Sequence, residues 1–552
     1  MTGRAGDRTP RDPVAPSVVA PGVVAPGVGA PRSGASRPRA AGEPGGPAWV
    51  PAIPAVITLL VVLYGIGGPS FWRDEGATLS AVHRSLPQLV RMLGHTDVVH
   101  GAYYLFMWFE VRVAGSSELA VRFPSAVAMA VAAGGITVLG RRLLSTRAGL
   151  AAGLVFAALP GVSWYGQNAR SYAMVTALAT VASYLLARAV TAGPGHRRRW
   201  LAGYGVALAA LGLGNLFALL LIPAHALTLA WWRRAGHAAA AAGQPATAGQ
   251  QPAAAGSQPA TAGGQPAPGP DRLLRRGWLA AAGSALLVAS PVAVISWSQR
   301  SQVSWLKKPG THALISLGQI IGPPLVSGLL VVLTLVLLAV SVMRGRRRTD
   351  WPAPLLALSL PWLVLPPAML LAVSVVHPAY SVRYIVFCAP AAALLVGAGL
   401  ASLGWAAGAT VLAVVVLTAV PGQVNARRAG SHGENLRFLS RILVTYGRPG
   451  DALLFAGRND REFAAAYPAG YRRLRDVGLG QHAAQAGTLL DTEAPTPVIR
   501  SRLDTVTRLW AVETGSQRGH VPILAGLNFR ESHRWVVSGI WLVLYTHRHH
   551  PG

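Results

Sequence analysis

Long apolar runs alternate with short polar segments along most of this chain. The hydrocarbon core of a bilayer is about 30 Å thick, and about 20 apolar helical residues are needed to span it. The pattern predicts a polytopic α-helical membrane protein with about eleven spans, although Leu201–Leu213 is short for a span. The predicted spans are Trp49–Ile66, Leu119–Gly140, Ala148–Ser163, Ser171–Ala187, Leu201–Leu213, Leu216–Trp232, Trp278–Trp297, Leu325–Met343, Pro354–Val376, Tyr384–Leu403 and Trp405–Val420.

Polar and low-complexity segments divide the chain into domains. Residues 1–48 are rich in Pro, Ala, Gly and Arg and predict a disordered cytoplasmic tail, because such a segment buries too little apolar surface to offset its ordering entropy. Residues 49–420 form the predicted membrane domain. Within it, residues 67–118 form a first outward loop, and the repetitive segment 235–270 forms a flexible cytoplasmic linker. Residues 421–552 are less hydrophobic and predict a small extracytoplasmic α/β domain.

Two polar regions carry predicted secondary structure of their own. In the first outward loop, Thr78–Leu93 and Gly101–Val113 mix apolar with charged residues, so each predicts an amphipathic helix at the interface rather than a span. In the C-terminal domain, three stretches predict strands and two predict helices. The strands are Asp451–Phe455, Thr507–Val512 and Trp535–Thr546, and the helices are Ser431–Tyr446 and Asp460–Tyr467.

Charge refines this picture. Only 12% of the 552 residues are charged, whereas a soluble protein has about a quarter, and the mean hydropathy is +0.40. The net charge of +29 lies in short arginine clusters between apolar runs, which indicates membrane topology rather than a nucleic-acid surface. With the N-terminus cytoplasmic and the C-terminus extracytoplasmic, the four large basic clusters all fall inside the cell, as the positive-inside rule requires. The only cysteine, Cys388, excludes an intramolecular disulfide.

Candidate catalytic groups lie in the first outward loop. Asp74 and Glu75 follow the first span directly, and Asp97 and His100 come before Tyr103. A carboxylate at the membrane surface can act as general base towards a hydroxyl, and a neighbouring acid can hold a metal or bind hydroxyls. The alternative is structural, because Asp and Glu also occur at the ends of helices and in loop contacts.

Candidate phosphate-binding groups lie in the other outward loops. Arginine binds phosphate with two parallel hydrogen bonds, and tyrosine can add a donor. Anchoring to lipid headgroups and an aromatic belt explain the same residues without a site. The residues concerned are Tyr165, Arg170, Tyr172, Arg300, Lys307, Lys308, Tyr380, Arg383 and Tyr384. The polar residues Gln167 and His377 accompany them. His225, inside an apolar span, is expected to be satisfied within the helix bundle, and the absence of mid-span acids disfavours an ion-coupled transporter.

Several segments resemble the integral-membrane GT-C glycosyltransferases. They are FWRDEGATLS, HGAYYLFMWFEVRVAGSSELAVRFPS, the basic turn RRLLSTRAG and WYGQNARSYAMV, with HPAYSVRY as the late outward loop. The closest group is the family-39 and RgtA-like set, which includes protein O-mannosyltransferases and the lipid A aminoarabinose transferase. The similarity is clear over roughly residues 49–190 and elsewhere follows hydropathy. Many relatives have Pro-Pro before the paired aromatic residues, whereas this chain has Val99-His100-Gly101-Ala102, so contacts made there are not transferred.

The resemblance implies a function and a set of roles. A sugar, mannose from the naming of relatives or arabinose, would move with inversion from a polyprenyl-phosphate donor to an acceptor hydroxyl on the extracytoplasmic face. The acceptor would be a cell-envelope glycan, lipid or protein. Asp74 would be the general base, Glu75 its companion and Asp97 a second acid. Donor phosphate would contact Arg170, Arg383, Tyr380, Lys307 and Tyr165, and substrate would contact His100, Tyr103, Gln167 and His377. No cofactor is certain, and a divalent metal ion is an option. The alternatives are a translocase that moves a lipid-linked sugar or polysaccharide without transferring it, and a non-catalytic scaffold that keeps the fold.

Overall fold

The computed structural model describes residues 47–242, 270–303, 353–457, 460–515 and 521–547, and the isolated positions 306, 308–310, 328, 334 and 339. All of them lie in one compact unit, Pro44–Gly552. Nearly all of the predicted tail, most of the predicted span Leu325–Met343 and the candidate Lys307 lie outside the described residues.

Helices make up the described membrane domain and the first loop. They are α1 (Ala52–Leu63), α2 (Arg73–Val82), α3 (Leu86–His95), α4 (Gly101–Ala114), α5 (Glu118–Leu143), α6 (Thr146–Ala158), α7 (Pro160–Gly166), α8 (Tyr172–Thr191), α9 (Pro194–Gly214), α10 (Leu221–Ala242), α11 (Pro270–Ser298), α12 (Ala353–Val376), α13 (Ala389–Ser402) and α14 (Trp405–Ala426). Short 3-10 turns lie at Val98–His100, Leu216–Leu220, Arg300–Val303 and Val382–Cys388.

In the described part of the chain, seven helical segments are long and apolar enough to cross a membrane. They are Glu118–Leu143, Tyr172–Thr191, Leu216–Arg234, Arg272–Ser298, Pro354–Val376, Val382–Ser402 and Trp405–Ala426. The pair α6 and α7 makes an eighth if it is one span, bent by 64°. The bend falls at Pro160, whose ring lacks an N–H and favours the extended conformation seen at Leu159. The prediction of a polytopic α-helical membrane protein is confirmed. The described residues do not reach the predicted count of about eleven spans, because the predicted first span Trp49–Ile66 contains only the 12-residue helix α1 and α9 is not among these segments.

Three helix boundaries differ from the predictions. The amphipathic stretch Thr78–Leu93 is two helices, α2 and α3, because Ser85 and Gln88 form a capping box and Pro87 starts a new helix. Helix α9 begins at Pro194 and is 21 residues long, so Leu201–Leu213 is only part of it. Helix α10 extends to Ala242, into the predicted linker, through a run of alanines, which are the strongest helix formers.

The polar groups near His225 satisfy one another between four helices, as predicted. Nε2 of His225 lies 3.1 Å from Ser183 Oγ, and Nδ1 lies 3.0 Å from Tyr204 Oη. The indole of Trp278 donates to the same Tyr204 oxygen at 3.1 Å. All four side chains are buried, so this network fixes α8, α9, α10 and α11 together rather than serving a proton path.

The C-terminal domain is a five-stranded mixed sheet with short helices. Its strands are β1 (Ala452–Phe455), β2 (Arg475–Asp476), β3 (Arg508–Glu513), β4 (Phe529–Val537) and β5 (Ile540–His547), in the order β2-β1-β3-β5-β4. Strands β2, β1 and β3 are parallel, and β5 is antiparallel to β3 and β4. The helices are α15 (Leu436–Tyr446), α16 (Glu462–Ala466), α17 (Pro468–Tyr471), α18 (Ala483–Ala486) and α19 (Thr496–Leu503). The predicted α/β class is confirmed.

Two predictions about this domain need correction. Trp535–Thr546 is a hairpin rather than one strand, because Ser538 and Gly539 adopt positive φ angles of 47° and 79° in a two-residue turn. Helix α14 continues through Pro421 to Ala426, so the structural change falls a few residues after the predicted boundary.

The first loop and the C-terminal domain share one hydrophobic core. Phe71, Leu79 and Tyr104 of the loop pack in the same buried cluster as Phe455 and Trp510 of the sheet. A separate core fills the membrane domain, and another covers the opposite face of the sheet. The C-terminal domain is therefore docked directly on the loop that carries the predicted catalytic acids.

Candidate active site

The two adjacent acids of the first loop lie in the first turn of α2 and point to different environments. Asp74 is 21% exposed, whereas Glu75 is fully buried. Both lie near the positive end of the helix dipole, which favours carboxylates at this position. Successive residues on a helix point about 100° apart, so one acid can face a site while its neighbour faces the core.

Glu75 is held in a buried ion pair. Arg122 of α5 donates from Nε to Oε1 at 2.8 Å and from Nη2 to Oε2 at 2.6 Å, and the backbone N–H of Ala169 donates to Oε1 at 2.8 Å. The same guanidinium donates to the carbonyls of Ile66, Pro69 and Ser70. The pair thus ties α2 to α5 and to the end of the first span, and Glu75 presents no exposed surface to a substrate.

Asp74 meets two arginines that are far away in sequence. Nη1 of Arg383 donates to Asp74 Oδ2 at 2.6 Å, and Nε of Arg170 lies 4.0 Å from the same oxygen. Nη1 of Arg170 also reaches the Asp74 carbonyl at 3.4 Å. The predicted general base and the two predicted phosphate-binding arginines are therefore brought together.

Asp97 joins this group through a tyrosine. It has a left-handed backbone, which Asp tolerates, and its Oδ2 accepts from Tyr104 Oη at 2.6 Å. The Tyr104 oxygen accepts in turn from Arg170 Nη1 at 3.3 Å. Burial and the Asp97 carboxylate raise the pKa of Tyr104 well above its usual value, so the phenol keeps its proton as a hydrogen-bond donor.

His100 and Tyr103 flank the same arginine. Nε2 of His100 lies 2.8 Å from Arg170 Nη2. Burial and the positive charge of Arg170 lower the pKa of His100 to about 4, so the ring is neutral at neutral pH and Nε2 accepts from the guanidinium. Burial raises the pKa of Tyr103.

Within the described parts of the chain, three buried polar atoms around Arg170 have no hydrogen-bond partner: Arg170 Nε, His100 Nδ1 and Tyr103 Oη. Most buried polar groups in proteins are hydrogen-bonded, so each exception calls for an explanation. Arg170 and Tyr103 can donate, which makes this cluster suited to an anionic, oxygen-rich ligand such as a phosphate group.

Two of the predicted tyrosines, Tyr165 and Tyr380, are buried near the arginines of the site. Tyr165 is buried, with its ring 5.6 Å from that of Tyr172, and lies within electrostatic range of Arg383 and Tyr380. Tyr380 is also buried.

Two further predicted residues lie away from the acids. Gln167 donates to the carbonyls of Val62 and Tyr64 and so fixes the end of α1. His377 is exposed beside Trp297, and no contact of His377 with the acids is seen in the described residues.

Sequence reasoning missed several residues at this site. Arg122 lies four residues inside a predicted span, and a cation at that position needs a carboxylate partner, so it could have indicated the pair with Glu75. Other missed residues come from the C-terminal domain and carry no motif. His432 stacks on Trp72 with ring centroids 5.4 Å apart, and Glu434, Asp460 and Glu462 surround Arg73.

The proposed metal option finds little support in the donor set. No group of three or more His, Cys, Asp or Glu side chains among the described residues is arranged to hold a metal ion. Asp74 and Asp460 are paired with arginines instead.

Comparison with known proteins gives one family match and several similar folds. Residues 101–240 match the sequence model of the family described as dolichyl-phosphate-mannose-protein mannosyltransferase. The fold is similar to crystal structures of ArnT from Cupriavidus metallidurans, in the apo state and bound to undecaprenyl phosphate, at 13% identity and a TM-score of 0.57. The alignments cover 90% of this chain and 97% and 98% of the ArnT chains, respectively.

The oligosaccharyltransferase AglB from Archaeoglobus fulgidus, in complex with an inhibitory peptide and a dolichol-phosphate, is a weaker match, with a TM-score of 0.46 and 11% identity. That alignment covers 84% of this chain and 69% of AglB. The chain therefore shares its fold with ArnT, and its segment 101–240 resembles the mannosyltransferase family. No curated protein sequence matches the chain.

Proposed function

We propose that this protein transfers a sugar from a polyprenyl-phosphate donor to an acceptor hydroxyl, with Asp74 as the general base. The observation that carries the proposal is the contact between the partly exposed Asp74 carboxylate and Arg383, beside the buried Arg170. A base and two cations in one cluster supply both requirements of the reaction, a proton acceptor and a holder for the departing phosphate.

The donor phosphate would lie against Arg170 and Arg383. Among the described residues, Nε of Arg170 has no hydrogen-bond partner, while its Nη1 and Nη2 contact Tyr104 and His100. These two contacts orient the guanidinium before the substrate binds. A preorganised cation stabilises charge that develops during the reaction at little reorganisation cost. The fold is shared with ArnT, whose structure is known with undecaprenyl phosphate, and this supports a lipid phosphate as the ligand.

The chemical step is an inverting displacement at the anomeric carbon. The acceptor oxygen would form a bond to C1 while the bond from C1 to the phosphate oxygen breaks. The acceptor's proton passes to Asp74, and the electron pair of the broken bond leaves on the polyprenyl phosphate. Asp97 would act through Tyr104, to which it is hydrogen-bonded, and Glu75 would position α2 through Arg122 rather than take part in the chemistry.

We further propose mannose as the sugar, because the matching family is described by that donor. The positive-inside pattern supports a cell-membrane location with the N-terminus in the cytoplasm and the active site and C-terminus outside. The acceptor class is a cell-envelope molecule that carries hydroxyl groups.

The test is a transfer assay with the full-length protein and radiolabelled polyprenyl-phosphate mannose, with the arabinose donor in parallel and with or without a chelator. Asp74→Asn keeps the size of the side chain and removes the base, so transfer should fall about 100-fold or more. Asp504→Asn, an exposed position of the C-terminal domain, is the matched control and should be neutral.

Each result has a defined meaning. Loss of transfer with unchanged donor binding supports Asp74 as base. Unchanged transfer in Asp74→Asn refutes that role. A wild-type protein that moves the lipid-linked sugar across vesicles but never transfers it is a translocase, and the proposed function is then wrong.

A further inference from the structure

The C-terminal sheet has a topological switch point at the carboxyl end of β1. This strand lies in the centre of the three parallel strands, and the chain places β2 on one side of it and β3 on the other. In open α/β sheets, ligands bind in the crevice outside the carboxyl ends of the strands at such a point. Here the crevice is bordered by Gly457 and Asp460 after β1 and by Thr514 after β3.

The residues at this edge of the sheet contact the start of α2, which carries Asp74. Nη2 of Arg73 lies 3.3 Å from Asp460 Oδ1, and Asp460 is oriented by Thr514 Oγ1 and by the N–H of Gly457. Glu434 accepts from the Arg73 backbone N–H at 2.8 Å and from Nε at 3.2 Å. Because Arg73 directly precedes Asp74, this edge of the domain lies next to the proposed general base.

One carboxyl oxygen in the crevice has no hydrogen-bond partner among the described residues. It is Oε2 of Glu462, a residue that is 6% exposed, and Arg73 Nε lies 3.9 Å from this oxygen. Its backbone carbonyl packs against Gly76, where an added Cβ would lie 2.5 Å from the oxygen. The side chain is therefore fixed beside α2, within electrostatic range of both Asp74 and Arg170.

The charge of the crevice indicates what it can bind. Among the described residues, three carboxyl groups, Glu434, Asp460 and Glu462, surround the guanidinium of Arg73. Burial raises the pKa of Glu462 to about 8, so this group is a neutral carboxylic acid at pH 7 and can both donate and accept hydrogen bonds. Such a crevice favours hydroxyl groups and repels phosphate or carboxylate groups.

We propose that the crevice between α2 and the carboxyl ends of β1 and β3 is the acceptor subsite, that Glu462 binds a hydroxyl next to the reacting one, and that the acceptor is a neutral glycan. Asp74 accepts the proton of the reacting hydroxyl, and Glu462 forms a hydrogen bond with a neighbouring hydroxyl. A sugar ring carries two such neighbouring hydroxyl groups, whereas a serine or threonine side chain carries only one. This inference rests on the proposed function of the same site.

The test compares two variants of equal length. Glu462→Met fills the space without hydrogen bonds, whereas Glu462→Gln keeps both a donor and an acceptor. With octyl α-mannoside as the acceptor probe, Glu462→Met should raise the KM for the acceptor about 10-fold, the effect of one lost hydrogen bond to a buried group. Glu462→Gln should stay within about 3-fold, the KM for the donor should not change, and the exposed control Glu493→Met should match the wild type.

Other outcomes overturn the inference. They are an unchanged acceptor KM in Glu462→Met, an equal rise in the donor KM, and a wild-type preference for octyl mannoside 6-phosphate or a serine peptide over octyl mannoside. If the wild type transfers no sugar, the proposed function fails, and hydrogen exchange of residues 460–466 then tests the crevice alone. Protection by octyl mannoside supports the subsite, and the absence of protection refutes it.

Discussion

Replacing one partner of the Glu75–Arg122 pair separates a structural from a catalytic role for Glu75. Both side chains are fully buried, and two hydrogen bonds of 2.8 and 2.6 Å join them. Arg122→Met would leave the Glu75 carboxylate buried without its cation and the carbonyls of Ile66, Pro69 and Ser70 without a donor. Removing one partner of a buried ion pair costs about 3–5 kcal/mol.

Replacing the other partner, Glu75, should also lower the free energy of unfolding. Glu75→Gln leaves the guanidinium of Arg122 uncompensated, although the carbonyls still accept from it. The double variant Glu75→Gln with Arg122→Met removes both charges together. It should therefore be more stable than the sum of the two single changes predicts, with a coupling of about 1–3 kcal/mol.

Denaturant unfolding of the full-length protein in mixed micelles measures these differences, with transfer activity recorded beside it. We expect Arg122→Met and Glu75→Gln to lose stability and activity together. If Glu75→Gln is as stable as the wild type but inactive, Glu75 takes part in the chemistry and the structural assignment is wrong. If Arg122→Met costs less than about 1 kcal/mol, the reasoning from burial is refuted.

Three further predictions concern the same region. Gly76→Ala should destabilise the docking of α2 on α16 by about 1–3 kcal/mol and reduce transfer, since its Cβ would lie 2.5 Å from the Glu462 carbonyl oxygen. The control Gly94→Ala should be tolerated, because its Cβ would meet no atom within 4 Å. Equal unfolding curves for the two variants would refute this prediction. Arg383→Gln should raise the donor KM about 10- to 100-fold, with Arg383→Lys less affected, and an unchanged KM would exclude phosphate binding there. Glu462 keeps its proton up to about pH 8 in the folded protein but loses it near pH 4.5 in the unfolded chain. Its contribution to the free energy of unfolding is therefore present below pH 4.5 and lost as the pH rises through 8. The free energy of unfolding of Glu462→Gln, measured from about pH 5 to 9, should lack this decline.

Hydropathy predicts the seven long apolar segments of the described residues, because a spanning helix must be apolar over a length that the bilayer fixes. It overestimates the first span, which contains only the 12-residue helix α1. It was weaker where local chemistry decides a boundary. The capping box at Ser85 divides one predicted amphipathic helix, and the turn at Ser538 and Gly539 divides one predicted strand. Both signals were present in the sequence, and both are short-range backbone effects that an averaged pattern does not register.

Part of the site was predictable for a different reason. The predicted topology places the loops of Asp74, Arg170 and Arg383 on one membrane face. In the structure, Asp74 contacts both arginines. Whether Asp74 or Glu75 faces the site, and which of them forms the buried ion pair, depends on the direction in which each side chain leaves α2. That direction is decided by Arg122, a residue in another helix, so spacing alone gave no basis for separating the two acids.

The contribution of the C-terminal domain could not be read from any motif, because it arises from docking. Arg437 of α15 donates to the carbonyls of Gly67, Gly68 and Pro69 in the loop that precedes α2. Tyr467 binds the N–H of Phe71 and the carboxylate of Glu118.

These polar contacts surround the apolar core that the loop shares with the sheet. A short loop at a membrane surface cannot bury enough apolar area to order itself, so the domain supplies the missing half of its core. The position of Asp74 is consequently a property of the whole chain, since residues separated by more than 300 positions in sequence, such as Arg73 and Glu434, fix the backbone on which the carboxylate is carried.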